Sequence, residues 1–236
     1  MKKIIQLVAL LSMSYFSFAQ TKNIKEGVAE FDISYPALSA EMKQMESMLP
    51  TNMSLYFKND LSRIEMITSM GSSIVINDNT KKEVTVLMDM MGKKIAIKQT
   101  QDELSQKEAA LKKEGKMPEY SIVETKEKKI IAGYKCKKAI VNYTLNGKKE
   151  QMICYYTEDL PKINNGTDNM ALKEIKGFLM EYNINQNGVQ MHIIAKTLKA
   201  ETVADKLFTV PSDFKILTQA EIAEMMGGIG KESDSK

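Results

Sequence analysis

Along most of this chain an apolar side chain falls on every second residue, in short runs broken by turn residues, and that period commits the chain to half-buried β-strands. Ala29, Phe31, Ile33 and Tyr35 alternate with Glu30, Asp32 and Ser34. Met53, Leu55 and Phe57 lead into Asn59-Asp60, and Ile64 and Met66 follow. Ile74 and Ile76 precede Asn77-Asp78-Asn79. Val84, Val86, Met88 and Met90 alternate with Glu83, Thr85 and Asp89 before Gly92, then come Ile95 and Ile97. The second half repeats the style. Ala139, Val141, Tyr143 and Leu145 run into Asn146-Gly147, a two-residue hairpin signal because both positions tolerate positive φ. Met152, Cys154 and Tyr156 return; Phe178, Met180, Tyr182 and Ile184 reach Asn185-Gln186-Asn187-Gly188; Val189, Met191, Ile193 and Ala195 complete the pattern. Connections this short suit an antiparallel meander and leave no room for parallel crossovers.

Helices are short and few in this reading. Leu38, Met42, Met45 and Leu49 fall at helical spacing before Pro50. Thr167 caps a second segment carrying Leu172 and Ile175 and ended by Gly177. Thr218-Gln219-Ala220-Glu221 is a capping box opening a third, with Ile222, Met225 and Met226 apolar and Gly227-Gly228 closing it. Residues 101–116 are highly charged, and the pairs Glu103–Lys107 and Glu108–Lys112 support a solvated helical insertion between the sheet halves. The expected class is α+β: a curved antiparallel sheet with a few covering helices, in one β-rich domain over 20–230.

Before the first strand, Met1-Lys2-Lys3 gives a basic start, Ile4 to Phe18 an apolar run, and Ser17-Phe18-Ala19 a small-X-small cut site, the layout of a secretory signal over 1–19. The apolar run falls short of the roughly 20 residues a membrane span needs. The expectation is therefore an exported protein, periplasmic or secreted, with no transmembrane segment after cleavage at Gln20 and a polar disordered tail over 231–236. The net charge of +3 becomes +1 once Lys2 and Lys3 leave. A nearly neutral chain is a poor partner for nucleic acid or an anionic membrane, which both ask for a basic field.

Chemistry-bearing residues are sparse. His192 is the only imidazole and lies on the polar side of its strand, so no metal site and no Ser or Cys nucleophile with its base can be assembled from sequence. No phosphate-cradling loop or nucleophile elbow is present. No cofactor, metal site or catalytic residue is expected. Cys136 and Cys154 allow one disulfide, worth about 3 kcal/mol on a chain-entropy model, or two inert thiols. With Asn146-Gly147 as the loop, Val141 opposes Met152 and Ala139 opposes Cys154. Cys136 then opposes Thr157 and points to the other face, so a bridge needs a bulge. Lys58 and Arg63 flank one hairpin and read as solvated charges guarding a sheet edge.

Three stretches carry a resemblance: Leu55-Tyr56-Phe57-Lys58-Asn59-Asp60-Leu61-Ser62-Arg63-Ile64-Glu65; Ile131-Ala132-Gly133-Tyr134-Lys135-Cys136-Lys137-Lys138-Ala139; and Leu207-Phe208-Thr209-Val210-Pro211-Ser212-Asp213-Phe214. Together they resemble an uncharacterised family of exported bacterial proteins, known only as a domain of unknown function, whose architecture is similar to that of periplasmic lipoprotein carriers. The resemblance implies a strongly curved, unclosed half-barrel with helices over its concave face, and carries no catalytic site. It departs from the pattern at Cys154-Tyr155-Tyr156, where a tryptophan is expected.

Eighteen methionines are the remaining signal. Methionine fills irregular cores and also lines adaptable apolar cavities. On the second reading Leu38, Met42, Met45, Met53, Met66, Met88, Met180 and Met191 line a cavity for an apolar small molecule or a lipoprotein acyl chain. The chain is then a non-enzymatic binding or carrier protein. On the first it is an envelope protein–protein interaction module with a filled core, and a hydrolase with a carboxylate site ranks third.

Overall fold

The computed structural model describes residues 24–114, 119–145, 148–163, 170–186, 189–218, 220–222 and 224. The signal segment 1–19, the Asn146-Gly147 turn, Thr167, Met225, Met226 and the tail 231–236 lie outside these residues. Among the described residues twelve strands form one sheet: β1 Glu26–Ala37, β2 Asn52–Lys58, β3 Leu61–Thr68, β4 Gly71–Asp78, β5 Glu83–Met90, β6 Lys93–Thr100, β7 Tyr120–Ile131, β8 Tyr134–Leu145, β9 Lys148–Thr157, β10 Phe178–Gln186, β11 Val189–Lys199 and β12 Lys215–Ile216. Helix α1 (Ala40–Gln44) follows β1, α2 (Gln101–Lys113) follows β6 and α3 (Met170–Lys173) precedes β10. The strand order is β12-β6-β5-β4-β3-β2-β1-β11-β10-β9-β8-β7. Two meanders, β1–β6 and β7–β11, are thus joined where β1 pairs with β11, Phe31 lying beside Ala195.

Aromatic distances reveal how strongly the sheet bends. The rings of Phe57 on β2 and Phe178 on β10 sit 6.2 Å apart, although three strand steps separate them. A flat sheet would hold them about 14 Å apart at about 4.8 Å per step. Phe31 stacks on Phe178 at 6.3 Å from the same side. The inner, concave face is therefore the one carrying Phe31, Leu55, Phe57 and Ile64. There β1–β3 and β8–β11 share one packed cluster with Leu172 and Ile175 at α3. The observed β8–β9 register sets Val141 against Met152 and Ala139 against Cys154.

The hairpin Ile131-Ala132-Gly133-Tyr134 turns through positive φ at both central residues, +47° at Ala132 and +84° at Gly133. This is the twist that two-residue hairpins prefer. β7, which that turn follows, is absent from the alternation reading. It is a sheet edge with exposed Lys126, Lys128 and Lys129 and a register shift between Glu124 and Lys128, so charge and irregularity blunt the edge here.

Three expectations change. A short parallel contact exists: β12 pairs with β6, Lys215 against Ile95. It arises because residues 200–214 run as a strap across the outer face. Lys58 and Arg63 are not solvated edge charges. Lys58 Nζ donates to Val203 O (3.1 Å) and to Asp205 Oδ1 (2.6 Å). Arg63 is buried, donates to Leu207 O at 2.7 Å and pairs with Glu65. They fasten the strap, and the first and third resemblance stretches meet in space. In β5 the buried residues are Thr85 and Leu87, the set opposite to the Val84, Val86, Met88 and Met90 face. The reason is the strap: Phe208, Val210 and Phe214 cover Ile74, Ile76, Leu87 and Ala96 from outside.

Helix α2 opens with a full capping box between Thr100 and Glu103 and has no buried residue. Its Glu108 meets Lys173 of α3 at 2.9 Å. Among the described residues no helix is long and apolar enough to cross a membrane.

Candidate functional site

Strand register fixes what the inner face carries beyond the packed cluster. Ile64 opposes Val75, which opposes Val86, which opposes Ile97. In the neighbouring row Met66, Ser73, Met88 and Ile95 lie side by side. Together with Val84, these residues extend the concave face across β4–β6 as an apolar floor. Val75, Val84, Val86, Met88 and Ile97 are half-buried and belong to neither packed cluster. The buried cluster continues beside them through Ile64, with Met66 packed against it. One buried polar pair interrupts the apolar run, Asn77 Nδ2 donating to Ser62 Oγ at 3.2 Å. The partners satisfy each other, so the pair costs little.

The eight residues proposed from sequence separate into three places. Met53, Met180 and Met191 are buried members of the packed cluster. Met66 and Met88 stand on the open floor. Leu38 and Met42 are half-buried and Met45 is 50 % exposed beside α1, which buries no residue. The stripe from Leu38 to Leu49 forms α1 and a 3-10 turn at Glu46–Met48, with Ser39 capping Met42 N. Val75, Val84, Val86 and Ile97 complete the floor and were missed. The alternation marked three of them, but the methionines drew the choice of lining.

The outer face of β9–β11 carries a polar ladder. His192 lies between Ser34 and Glu181: Nδ1 is 3.4 Å from Ser34 Oγ and Nε2 is 3.1 Å from Glu181 Oε1. Its side chain is one-third exposed, not free in solvent as the alternation suggested. Lys129 takes the other oxygen of Glu181 at 2.5 Å and lies over the Tyr155 ring at 5.2 Å. Tyr155 donates to Glu127, which also receives Lys138. That ladder borders an open depression of about 220 Å³ lined by Ile153, Tyr155, Glu181, Asn183 and His192. Ser34, His192 and Glu181 have the identities of a nucleophile, a base and an orienting acid. Glu181, however, is shared with Lys129, and the β10–β11 ladder around His192 is continuous, so backbone donors for an oxyanion are engaged. A second open depression lies at Ile24, Lys25, Asn59, Asp60 and Glu158 to Pro161. Neither is lined by any of the eight residues.

Both cysteines are free and buried, so no bridge is formed in this structure. Burial pushes the Cys136 thiol up to about 11 and the Cys154 thiol up to about 12. Thiols held protonated in this way are poor nucleophiles and poor metal ligands at neutral pH. Among the described residues no group of three or more His, Cys, Asp or Glu is placed to hold a metal ion.

No protein-family model matches the chain, and no curated protein matches it. Solved structures give distant likenesses. One is to a β-barrel-like protein of a domain of unknown function, DUF1849, from Brucella abortus. Its TM-score is 0.38 at 6% identity, covering 77% of this chain and 100% of that one. Another is to LprF from Mycobacterium bovis, with a TM-score of 0.33 at 11% identity, covering 81% of this chain and 91% of that one.

Proposed function

We propose that this chain is a non-enzymatic binding or carrier protein that takes an apolar ligand, an acyl chain in the first instance, onto the concave floor of β4–β6. The observation that carries the reading is the floor itself. Val75, Val84, Val86, Met88 and Ile97 lie side by side on a concave surface, half-buried, and belong to neither packed cluster. A contiguous apolar surface left only partly covered is the kind that marks binding sites. A curved sheet cannot close its own concave face, so a guest or a cover must meet it. Met66 and Met88 at the end of the floor repack easily around different shapes. The export expected from the N-terminal segment places such a carrier in the periplasm or outside the cell.

The test is saturable binding of a fluorescent fatty acid, together with native mass spectrometry of freshly purified protein before and after organic extraction. Val86→Asp is expected to weaken probe binding at least tenfold with little change in melting temperature. His192→Ala, on the opposite face, is expected to leave it unchanged. Absence of saturable binding across several acyl lengths, with folding confirmed, defeats the carrier reading. The alternative is an interaction module with a filled core, and one observation favours it. Ile67, Met70, Met90 and Met91 are all exposed at neighbouring hairpin tips, which Met91 N joins by donating to Met70 O at 3.2 Å.

A further inference from the structure

The end of the sheet at the β3–β4 and β5–β6 turns is unusually rich in thioethers, and strand register organises three of them. Met66 opposes Ser73 across β3–β4, and Ser73 opposes Met88 across β4–β5. One step nearer the turn, Met90 opposes Gly71. These residues share the inner face, so Met66 stands on one side and Met88 and Met90 on the other side of a strip of β4 made of glycine and serine. The backbones of Met66 and Met88 lie about 10 Å apart, twice the strand spacing. The residues between them, Gly71 and Ser73, carry no side chain larger than a hydroxymethyl group and are themselves only half-buried. Gly71 cannot be enlarged, because a Cβ there would lie 1.8 Å from Asp89 O. Met66 and Met88 are half-buried and Met90 is 63 % exposed, so the strip is reached from solvent.

Charge selects what such a hollow could hold. The nearby carboxylates Glu65, Glu83 and Asp89 pair with Ile74, Thr100 and Lys94 across the ladder, which puts them on the outer face. The inner face offers neutral sulfur without a hard oxygen anion, and its ammonium, Lys93 opposite Met90, is exposed at the rim and can extend into solvent; this donor set suits soft cations and not Ca²⁺, Mg²⁺ or Zn²⁺. Methionine side chains have three rotatable bonds, so the three thioethers can lean together over Gly71 and Ser73. The geometry points to a soft monovalent cation site, for Cu(I) or Ag(I), held by Met66, Met88 and Met90. It shares Met66 and Met88 with the acyl-binding floor but does not rest on that reading, since it needs their sulfur where the floor needs only apolar surface.

Methionine and leucine have similar volume and hydrophobicity, and this separates the two. Titration with silver nitrate, followed by native mass spectrometry and by melting temperature, is expected to show one tightly held Ag(I) per chain. Competition against bathocuproine disulfonate extends the measurement to Cu(I). The triple variant Met66→Leu, Met88→Leu, Met90→Leu is expected to lose at least tenfold in Ag(I) affinity while its circular dichroism and its melting temperature without silver stay those of the wild type. The control pair Met45→Leu, Met48→Leu, at exposed positions near α1, is expected to keep the wild-type Ag(I) affinity. If the triple variant misfolds, Met88→Leu alone should still lower the affinity severalfold. Wild-type Ag(I) affinity in a folded triple variant, or equal loss in the control pair, overturns the site.

Discussion

The two ends of this sheet solve the same burial problem in opposite ways. From β8 through β11 and on to β3, the sheet curls until Phe178 reaches Phe57, and the inner face becomes one packed cluster. From β4 to β6 both faces are apolar. The outer one is covered by a strap pinned at Lys58, Arg63 and Lys94, and most of the inner one remains half-buried. Curvature buries apolar surface by bringing distant strands together, whereas the strap buries it with the fifteen residues 200–214, outside the sheet, and a buried arginine. The difference teaches where adaptability can reside: a surface already closed on itself resists a guest, and an open floor does not.

The largest expected break in this contrast is Phe178→Ala. The residue is fully buried and touches both Phe31 and Phe57, so its removal should cost about 3–5 kcal/mol in urea unfolding. A truncation on the floor, Val86→Ala, should cost well under half of that because it removes fewer carbons from a side chain that is only half-buried. Equal losses would mean that the floor is as tightly packed as the curl.

Arg63→Ala tests the strap. It strands Leu207 O and leaves Glu65 unpaired, which for a buried pair costs about 3 kcal/mol. Hydrogen exchange should rise within 203–214 and stay unchanged in β8–β11. A uniform rise along the chain would show that the strap is not a separate unit. Lys94→Ala should act in the same direction and more weakly, since the partner to which Lys94 donates at 2.7 Å, Asp213, is more than half exposed.

The thiols give a smaller, pH-dependent effect in the curled half. Their folded values of about 11 and 12 lie above the ordinary 9.0. The unfolded chain therefore loses these protons first, and stability falls as pH rises from about 9 toward 12. Tyr120 and Tyr155, both raised to about 12, Tyr120 mainly by burial and Tyr155 mainly by its hydrogen bond to Glu127, add to the same fall from pH 10. Cys136→Ala with Cys154→Ala should flatten the part that begins near pH 9, read as the slope of unfolding midpoint against pH. Met88→Gln is the mildest: less than about 1 kcal/mol of stability, yet a clear loss of fatty-acid binding.

Strand positions were legible because alternation and turn chemistry are local. The β8–β9 register followed from the hairpin alone. What was not legible depends on contacts between distant segments. The strap reverses the buried side of β5 from more than a hundred residues away, and nothing within β5 announces it. Lys58 and Arg63 look solvated in sequence because their acceptors are backbone carbonyls, which no residue identity reveals. β7 was missed because its Glu-Thr-Lys-Glu-Lys-Lys run hides the period of an edge strand. At the candidate floor, the alternating valines were visible, but whether a face is filled or open is decided by what lies opposite.

The pairing of β1 with β11 also governs how the chain reaches this state. β1 forms a hairpin-like ladder with β2 as soon as both exist, but its other edge waits for a strand about 160 residues later. The strap comes later still and closes on a lysine and an arginine set far earlier. Contacts of such long sequence separation pay their loop-closure entropy before they return any energy, which slows folding. Until the last fifth of the chain is in place, the first meander keeps an unpaired edge and an uncovered outer face. It can therefore stay unfolded, or be held so, until the whole length is available.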